Sequence, residues 1–221
     1  MPSRNTLKEY REGSYYHIYN RGVEKRDIFL DEQDYAIFLH LLKYFLSPAE
    51  KEIKNPLVGL YNLKYIRPRP LENLAGKVEL LAYCLMPNHF HLLIKLITYS
   101  GMTELMQKVL TAYSMYFNKR YERVGHLFQG RYKAAVVDNG EYLLHLSRYI
   151  YENPLELFGM TRTVLVSYPY SSYAYYLKVK HANWINTEYI LGFFDEKQTY
   201  QDFVEDIKTN SRNALGKLVI D

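Results

Sequence analysis

The chain has 221 residues, of which 48% are hydrophobic and 24% charged, with a net charge of +4. This is apolar material for one domain with additions or for two small ones, and it excludes a disordered or fibrous chain. The single cysteine, Cys84, excludes an intrachain disulfide and a cysteine-rich zinc site. The opening residues carry no apolar signal run and nothing approaches the roughly 20 residues of a membrane span, so the expected setting is cytoplasmic, without membrane.

In chain order, Tyr15–Asn20 is rich in strand formers and ends in the turn signal Asn20-Arg21-Gly22. Asp31 fits the N-cap of a helix carrying Tyr35, Phe38, Leu39, Leu41, Leu42 and Phe45, closed by Pro48. Residues 49–76, which contain Pro56, Pro68, Pro70 and Gly76 and an alternating piece around Leu57–Ile66, read as an insertion. Val78–Met86 and Phe90–Leu96 predict a hairpin across Pro87-Asn88. Met102 to about Arg123 predicts a long helix with Leu105, Met106, Val109, Leu110, Tyr113 and Phe117 as its apolar stripe, ended by Gly125. Phe128–Val137 predicts a strand with a bulge at Gly130, and a helix follows from Gly140 to about Asn153, stopped by Pro154. The first six elements give a β-α-β-β-α-β order: an α+β, ferredoxin-like antiparallel sheet with two helices on one face. The expected division is a catalytic domain over 1–160 and an extension over 161–221 packed on it.

The stretch Met86-Pro87-Asn88-His89-Phe90-His91-Leu92-Leu93 holds the most chemistry. Side chains alternate along a strand, so His89 and His91 point the same way, while Phe90, Leu92, Ile94 and Leu96 point into a core. A lone His-x-His pair also fits two hydrogen-bonded strand histidines. The helix over 140–153 adds partners. Leu143, Leu146 and Ile150 form its apolar stripe, and Tyr142, His145, Tyr149 and Asn153 lie on an adjoining face. Tyr149 and Asn153 are one turn apart, whereas Tyr151 is about 160° away from Tyr149. Packed on the open face of the sheet, this helix brings Tyr149 and Asn153 to His89 and His91. Two imidazoles and a carboxamide oxygen suit Mn²⁺, or Mg²⁺ with waters completing its shell. A tyrosine beside a metal-bound phosphate can attack it. Each residue also has a plain alternative: helix packing for Tyr149, a helix end for Asn153.

Basic residues crowd the middle of the chain, and the candidate phosphate-gripping set is Arg120, Arg123, Arg131 and Lys133, with Arg21 near the site. Interleaved with 24 tyrosines, they fit a surface that stacks bases, although charge runs are also ordinary solvated faces.

His89-Phe90-His91 resembles the histidine–hydrophobic–histidine (HUH) motif of single-strand DNA nucleases. Arg148-Tyr149-Ile150-Tyr151-Glu152-Asn153-Pro154 resembles the nucleophile helix of the single-tyrosine transposases. Tyr16–Gly22 followed by Asp27-Ile28-Phe29 is similar to that family's first strand and loop, and Gly125–Tyr132 to its last strand. Asparagine four residues after the tyrosine, and Ser167-Tyr168-Pro169-Tyr170-Ser171-Ser172-Tyr173, point to the REP-associated branch. The resemblance spans roughly 14–158. It implies cleavage of single-stranded DNA beside hairpin (palindromic) elements, with Tyr149 as nucleophile forming a 5′-phosphotyrosine and releasing a 3′-OH. It further implies Mg²⁺ or Mn²⁺ on His89, His91 and Asn153, a bacterial nucleoid setting, and a monomer or homodimer. The 49–76 insertion and most of the tail depart from the family pattern. The alternatives are a replication or conjugation initiator with the same HUH chemistry, and a catalytically idle, domesticated DNA-binding protein. An unrelated metal hydrolase would need carboxylate ligands that are not near.

Overall fold

The computed structural model describes residues 10–48, 73–157, 161–195, 199–206 and 215. The expected insertion, including its Leu57–Ile66 piece, lies outside these residues apart from 73–76. The chain runs β1 (Tyr15–Arg21), α1 (Glu32–Leu46), β2 (Val78–Met86), β3 (His89–Leu96), α2 (Gly101–Arg120), β4 (Lys133–Val137) and α3 (Gly140–Glu152). The strands form one antiparallel sheet in the order β2-β3-β1-β4, so the first strand made lies inside the sheet. This is the split β-α-β-β-α-β order expected from the element pattern.

Each helix has a local reason for its limits. The Asp31 carboxylate caps α1 by accepting from the backbone N–H of Gln33 and Asp34 at 3.0 and 3.2 Å. Tyr35, Phe38, Leu41, Leu42 and Phe45 are buried along it. α2 buries Leu105, Met106, Val109, Tyr113 and Phe117 beside them, while Leu110 is only partly buried. It stops at Arg120, about a turn short of the expected Arg123, because Glu122 (φ 50°) and Gly125 (φ 94°) take left-handed conformations that a helix cannot continue. The expected strand from Phe128 is also shorter. Gly130, at φ 96°, reverses the chain with its N–H bonded to Phe128 O at 2.7 Å, and only Lys133–Val137 joins the ladder.

Both faces of the sheet are buried. α1 and α2 cover Tyr16, Ile18, Phe90, Leu92, Ile94 and Leu96. On the other face α3 lays Leu143, Leu146, Tyr149 and Ile150 against Met86, Leu93 and Val137. The later segments close that second layer and the β2 edge. Leu85 N–H donates to Tyr170 O at 2.9 Å, Ser172 N–H to Tyr83 O at 3.0 Å, and Tyr83 N–H to Ser172 Oγ at 2.8 Å. An edge that would otherwise offer unpaired backbone to another chain is thereby covered.

A charged knot ties α1 to α2. The fully buried Asp34 carboxylate accepts from Tyr116 Oη (2.6 Å), Arg120 Nη1 (2.9 Å), Tyr121 Oη (2.9 Å) and the Leu30 N–H (2.8 Å). Arg120 also pairs with Asp31 at 2.5 Å. Removing one partner of such a buried group leaves the other uncompensated. Asp34→Ala should therefore lower stability by about 3–5 kcal/mol in urea titrations. Gln33→Ala, one residue away on the exposed side, should stay within about 0.5 kcal/mol.

Candidate active site

Strand alternation places His89 and His91 on the α3 face of β3, opposite the α1–α2 core. Both are buried. Neighbouring elements hold each ring by its Nδ1. The His89 Nδ1 lies 2.6 Å from Oδ1 of Asn88, and Nδ2 of that amide donates to Lys25 O at 3.3 Å. The His91 Nδ1 lies 2.9 Å from Nε2 of His17, a fully buried side chain on β1. In both rings Nε2 is the nitrogen left to serve a ligand, and His91 Nε2 is buried with no hydrogen-bond partner. The sequence pattern marks His17 only as part of a strand-forming run and not as a candidate site residue. The available signal is its alternation with Tyr15 and Tyr19, which places it on the face shared with His91.

The turn after β1 is clamped on the same corner. Arg21 pairs in register with His89. Gly22 N–H donates to Asn88 O at 2.9 Å, and the N–H groups of Ile28 and Phe29 donate to Pro87 O. A Cβ on Gly22 would fall 2.2 Å from Arg26 O, so only glycine fits there.

α3 supplies the rest. Asn139 caps it by accepting from Tyr142 N–H at 2.7 Å. The buried Tyr149 ring meets His91 edge-on, with centroids 5.5 Å apart and planes at 87°. Asn153 begins the short 3-10 turn Asn153–Glu156 that follows the helix, and its Nδ2 donates to Tyr149 O at 2.8 Å. Its side chain faces both imidazoles. Tyr151 points elsewhere, its hydroxyl 2.9 Å from Ser172 Oγ among Tyr173, Tyr176 and Tyr200. Tyr142 donates to Leu215 O. The structure thus brings His89, His91, Tyr149 and Asn153 to one place and keeps the other two α3 tyrosines away from it.

Burial pushes the His89 pKa down to about 4, helped by the positive charge of Arg21 and opposed by Asn153. Burial also holds His91 well below its ordinary value, with His17, His89 and Arg21 adding to the effect. Both rings are neutral near pH 7, the form in which imidazole binds a metal. Among the described residues no group of three or more His, Cys, Asp or Glu side chains is placed to hold a cation. A cation here would need the Asn153 amide as well as the two imidazoles. This set fits one: two neutral imidazoles fixed through Nδ1, an orphaned Nε2, and a facing carboxamide.

The basic residues divide. Arg120 is spent on Asp31 and Asp34, so it sits in a structural knot rather than on the expected phosphate-gripping surface. Arg123 donates to Asn118 Oδ1 at 3.0 Å and lies over the Phe117 ring. Arg131 and Lys133 are exposed, and the Lys133 ammonium stands 5.5 Å above the Tyr19 ring. Tyr19 pairs with His91 in register, so Lys133 borders the candidate site.

Residues 73–153 match the family model described as "Transposase IS200 like". The resemblance to single-tyrosine transposases is borne out. The matched run extends from just before β2 to Asn153; β1, with His17 and Arg21, lies outside it. A solved structure of a REP-associated tyrosine transposase bound to a REP hairpin is similar in fold. Its TM-score is 0.51 at 16% identity, over 83% of this chain and 92% of that one. No curated protein matches the chain.

Gly22→Ala tests the clamp. The added Cβ forces the backbone apart, and stability should fall by about 1–3 kcal/mol, as in other overpacked sites. Amide exchange should rise first at Gly22, Ile28 and Phe29, whose N–H groups bond the Pro87-Asn88 turn. Unchanged exchange there would show that the turn absorbs the methyl group.

Proposed function

We propose that this protein is a single-tyrosine transposase-type enzyme that cuts and rejoins single-stranded DNA beside hairpins. The observation that carries the reading is the buried meeting of Tyr149 with His91, with Asn153 facing both histidines. The family match over 73–153 and the fold shared with a hairpin-bound transposase support it.

His89, His91 and Asn153 would hold one Mg²⁺ or Mn²⁺. Bound there, such an ion polarises a phosphodiester as a Lewis acid and fixes its orientation. Tyr149 is the nucleophile. Its Oη forms a bond to phosphorus, the P–O3′ bond breaks, and the phenol proton passes to the departing 3′ oxygen. The product is a 5′-phosphotyrosine and a free 3′-OH. The reverse attack by a 3′-OH rejoins the strand and restores the phenol. Because bond energy is kept in the phosphotyrosine, this arrangement suits strand transfer better than hydrolysis. Arg21, beside His89, adds positive charge where the phosphate would sit. Lys133 and Arg131 would hold flanking phosphates, and Tyr19 offers a ring for a base.

With a hairpin-bearing single strand and Mn²⁺, wild-type protein should give a covalent adduct on denaturing gels. Tyr149→Phe should give none while still binding the DNA. Tyr151→Phe should keep the adduct, with stability lower by only about 1 kcal/mol for the missing hydrogen bond to Ser172. An adduct that survives in Tyr149→Phe, or that maps to Tyr151, refutes the assignment. Absence of any adduct in wild type across metals and strands, with tight binding retained, would favour the idle DNA-binding alternative.

Neutralising Arg131 and Lys133 should weaken binding to all sequences alike. The slope of log affinity against log salt should flatten by about 0.7 for each phosphate that is no longer neutralised. An unchanged slope would make both residues bystanders.

A further inference from the structure

We propose that Arg26 and Arg123 form a clamp for one backbone phosphate of the DNA strand that enters the candidate site, and that the Glu24 carboxylate holds the place of that phosphate in the free protein. The proposal rests on the DNA-binding reading above and adds a contact point beside the histidine corner.

The turn Val23–Arg26 is built against local preference. Glu24 (φ 58°, ψ 25°) and Lys25 (φ 59°) are both left-handed, and the Arg26 N–H donates to Val23 O at 3.2 Å. This is the type I′ pattern, which Asn-Gly fills without strain and longer side chains fill poorly. The surroundings enforce it. Val23 N–H donates to Leu127 O at 2.9 Å, and Lys25 O accepts from Asn88 Nδ2 at 3.3 Å. Backbone strain of this kind collects where a ligand needs particular side chains. Here the turn presents charge. The Arg26 Nε donates to Val23 O at 3.2 Å, which fixes the guanidinium, and its Nη2 donates to Glu24 Oε2 at 2.9 Å.

Arg123 faces the same place from the loop after α2. Its Nη1 donates to Asn118 Oδ1 at 3.0 Å, its guanidinium lies 5.7 Å from the Phe117 ring centroid, and Asn118 Nδ2 ties the loop by donating to Gly125 O at 2.8 Å. An amide and a ring thus hold this guanidinium, and among the described residues it makes no ion pair. Its charged form is disfavoured by burial and by Arg26 and favoured by Glu24. Glu24 therefore acts on both arginines at once. Its side chain is 77% exposed, so nothing but charge keeps it there. Two repelling guanidiniums that share one exposed carboxylate suit an anion able to bind both. A phosphodiester carries a fixed charge and two free oxygens, one for each fork. It also belongs at this corner, because Arg21 pairs in register with His89 and the Gly22 N–H bonds Asn88 O.

The probe is a hairpin-bearing single strand bound by the full chain without metal, with Kd followed by fluorescence anisotropy across a salt series. Arg26→Gln and Arg123→Gln should each weaken binding about tenfold and flatten the slope of log affinity against log salt by up to about 0.7. Glu24→Gln should tighten binding severalfold. That gain should vanish in an Arg26→Gln background, because no clamp is then left for the carboxylate to block. Glu122→Gln removes an equal charge next to Arg123 but breaks no ion pair, and should change Kd by less than about twofold. A gain in affinity cannot come from a damaged fold, so Glu24→Gln is decisive even where an arginine variant is unstable. The inference is overturned if Glu24→Gln leaves affinity unchanged, or tightens binding equally with and without Arg26. It is overturned as well if either folded arginine variant binds like wild type. If the clamp effects appear while Tyr149 never becomes joined to DNA, the clamp stands and the cleavage reading fails. If wild type binds no single strand, both fall.

Discussion

A strand turns successive side chains to opposite faces, and β3 meets this constraint with both faces buried. Phe90, Leu92, Ile94 and Leu96 serve the α1–α2 core, while His89, His91 and Leu93 serve the layer under α3. A slip of one residue would exchange the two sets, sending imidazoles into the larger core and aromatic bulk into the site. The register is fixed along all of β1 and β3, and β2 absorbs its own mismatch through a bulge at Leu81. The chemistry of the site follows from this burial. Water is excluded from the histidines, they stay neutral, and their polar atoms must find partners within the protein.

The second layer also fixes the helix that carries the tyrosine. Arg148, next to Tyr149, is buried and donates from Nε to Glu152 at 3.1 Å and from Nη2 to Asp206 O. Glu152 also pairs with Arg162 at 2.5 Å, and Ser147 Oγ accepts from Tyr200 Oη at 2.8 Å. The described residues beyond 160 therefore form the outer wall of α3. It holds the side of the helix away from the sheet, so Tyr149 is pressed toward His91 from behind. Among the described residues, no helix is long and apolar enough to cross a membrane.

The parts readable in the sequence obey short-range rules. Alternation along β3 and one-turn spacing on α3 are enough to bring His89, His91, Tyr149 and Asn153 together, and the same spacing separates Tyr151. Capping by Asp31 and Asn139 is equally local. What the sequence does not disclose depends on partners far along the chain. Arg120 looks like one more charge in a basic run, and nothing nearby reveals Asp34, 86 residues earlier. His17 looks like one more strand former until β1 is placed beside β3. The start of β4 is not legible, because Phe128 and Tyr132 have strand-forming side chains whereas the conformation is decided by Gly130. The tail offers no periodicity long enough to read: among the described residues its α-helices are four to six residues long, the first two next to backbone bonds with β2 and the last held by Ser147 and Arg148 of α3.

The position of β1 inside the sheet has a consequence for the growing chain. Its His17 waits for His91, 74 residues later, and Tyr10 just before the strand waits for Tyr132, 122 residues later. At ordinary rates of synthesis the second interval is on the order of ten seconds. Until β3 emerges, Tyr16 and Ile18 have no sheet to lie in, and the apolar segment is a hazard for misassociation. A second delay applies to the candidate site. The four side chains of the proposed centre come from two segments, and the last of them, Asn153, leaves the ribosome long after the first. A nascent chain therefore holds His89 and His91 before Tyr149 and Asn153 exist beside them, and the candidate site forms only once α3 has packed on the sheet.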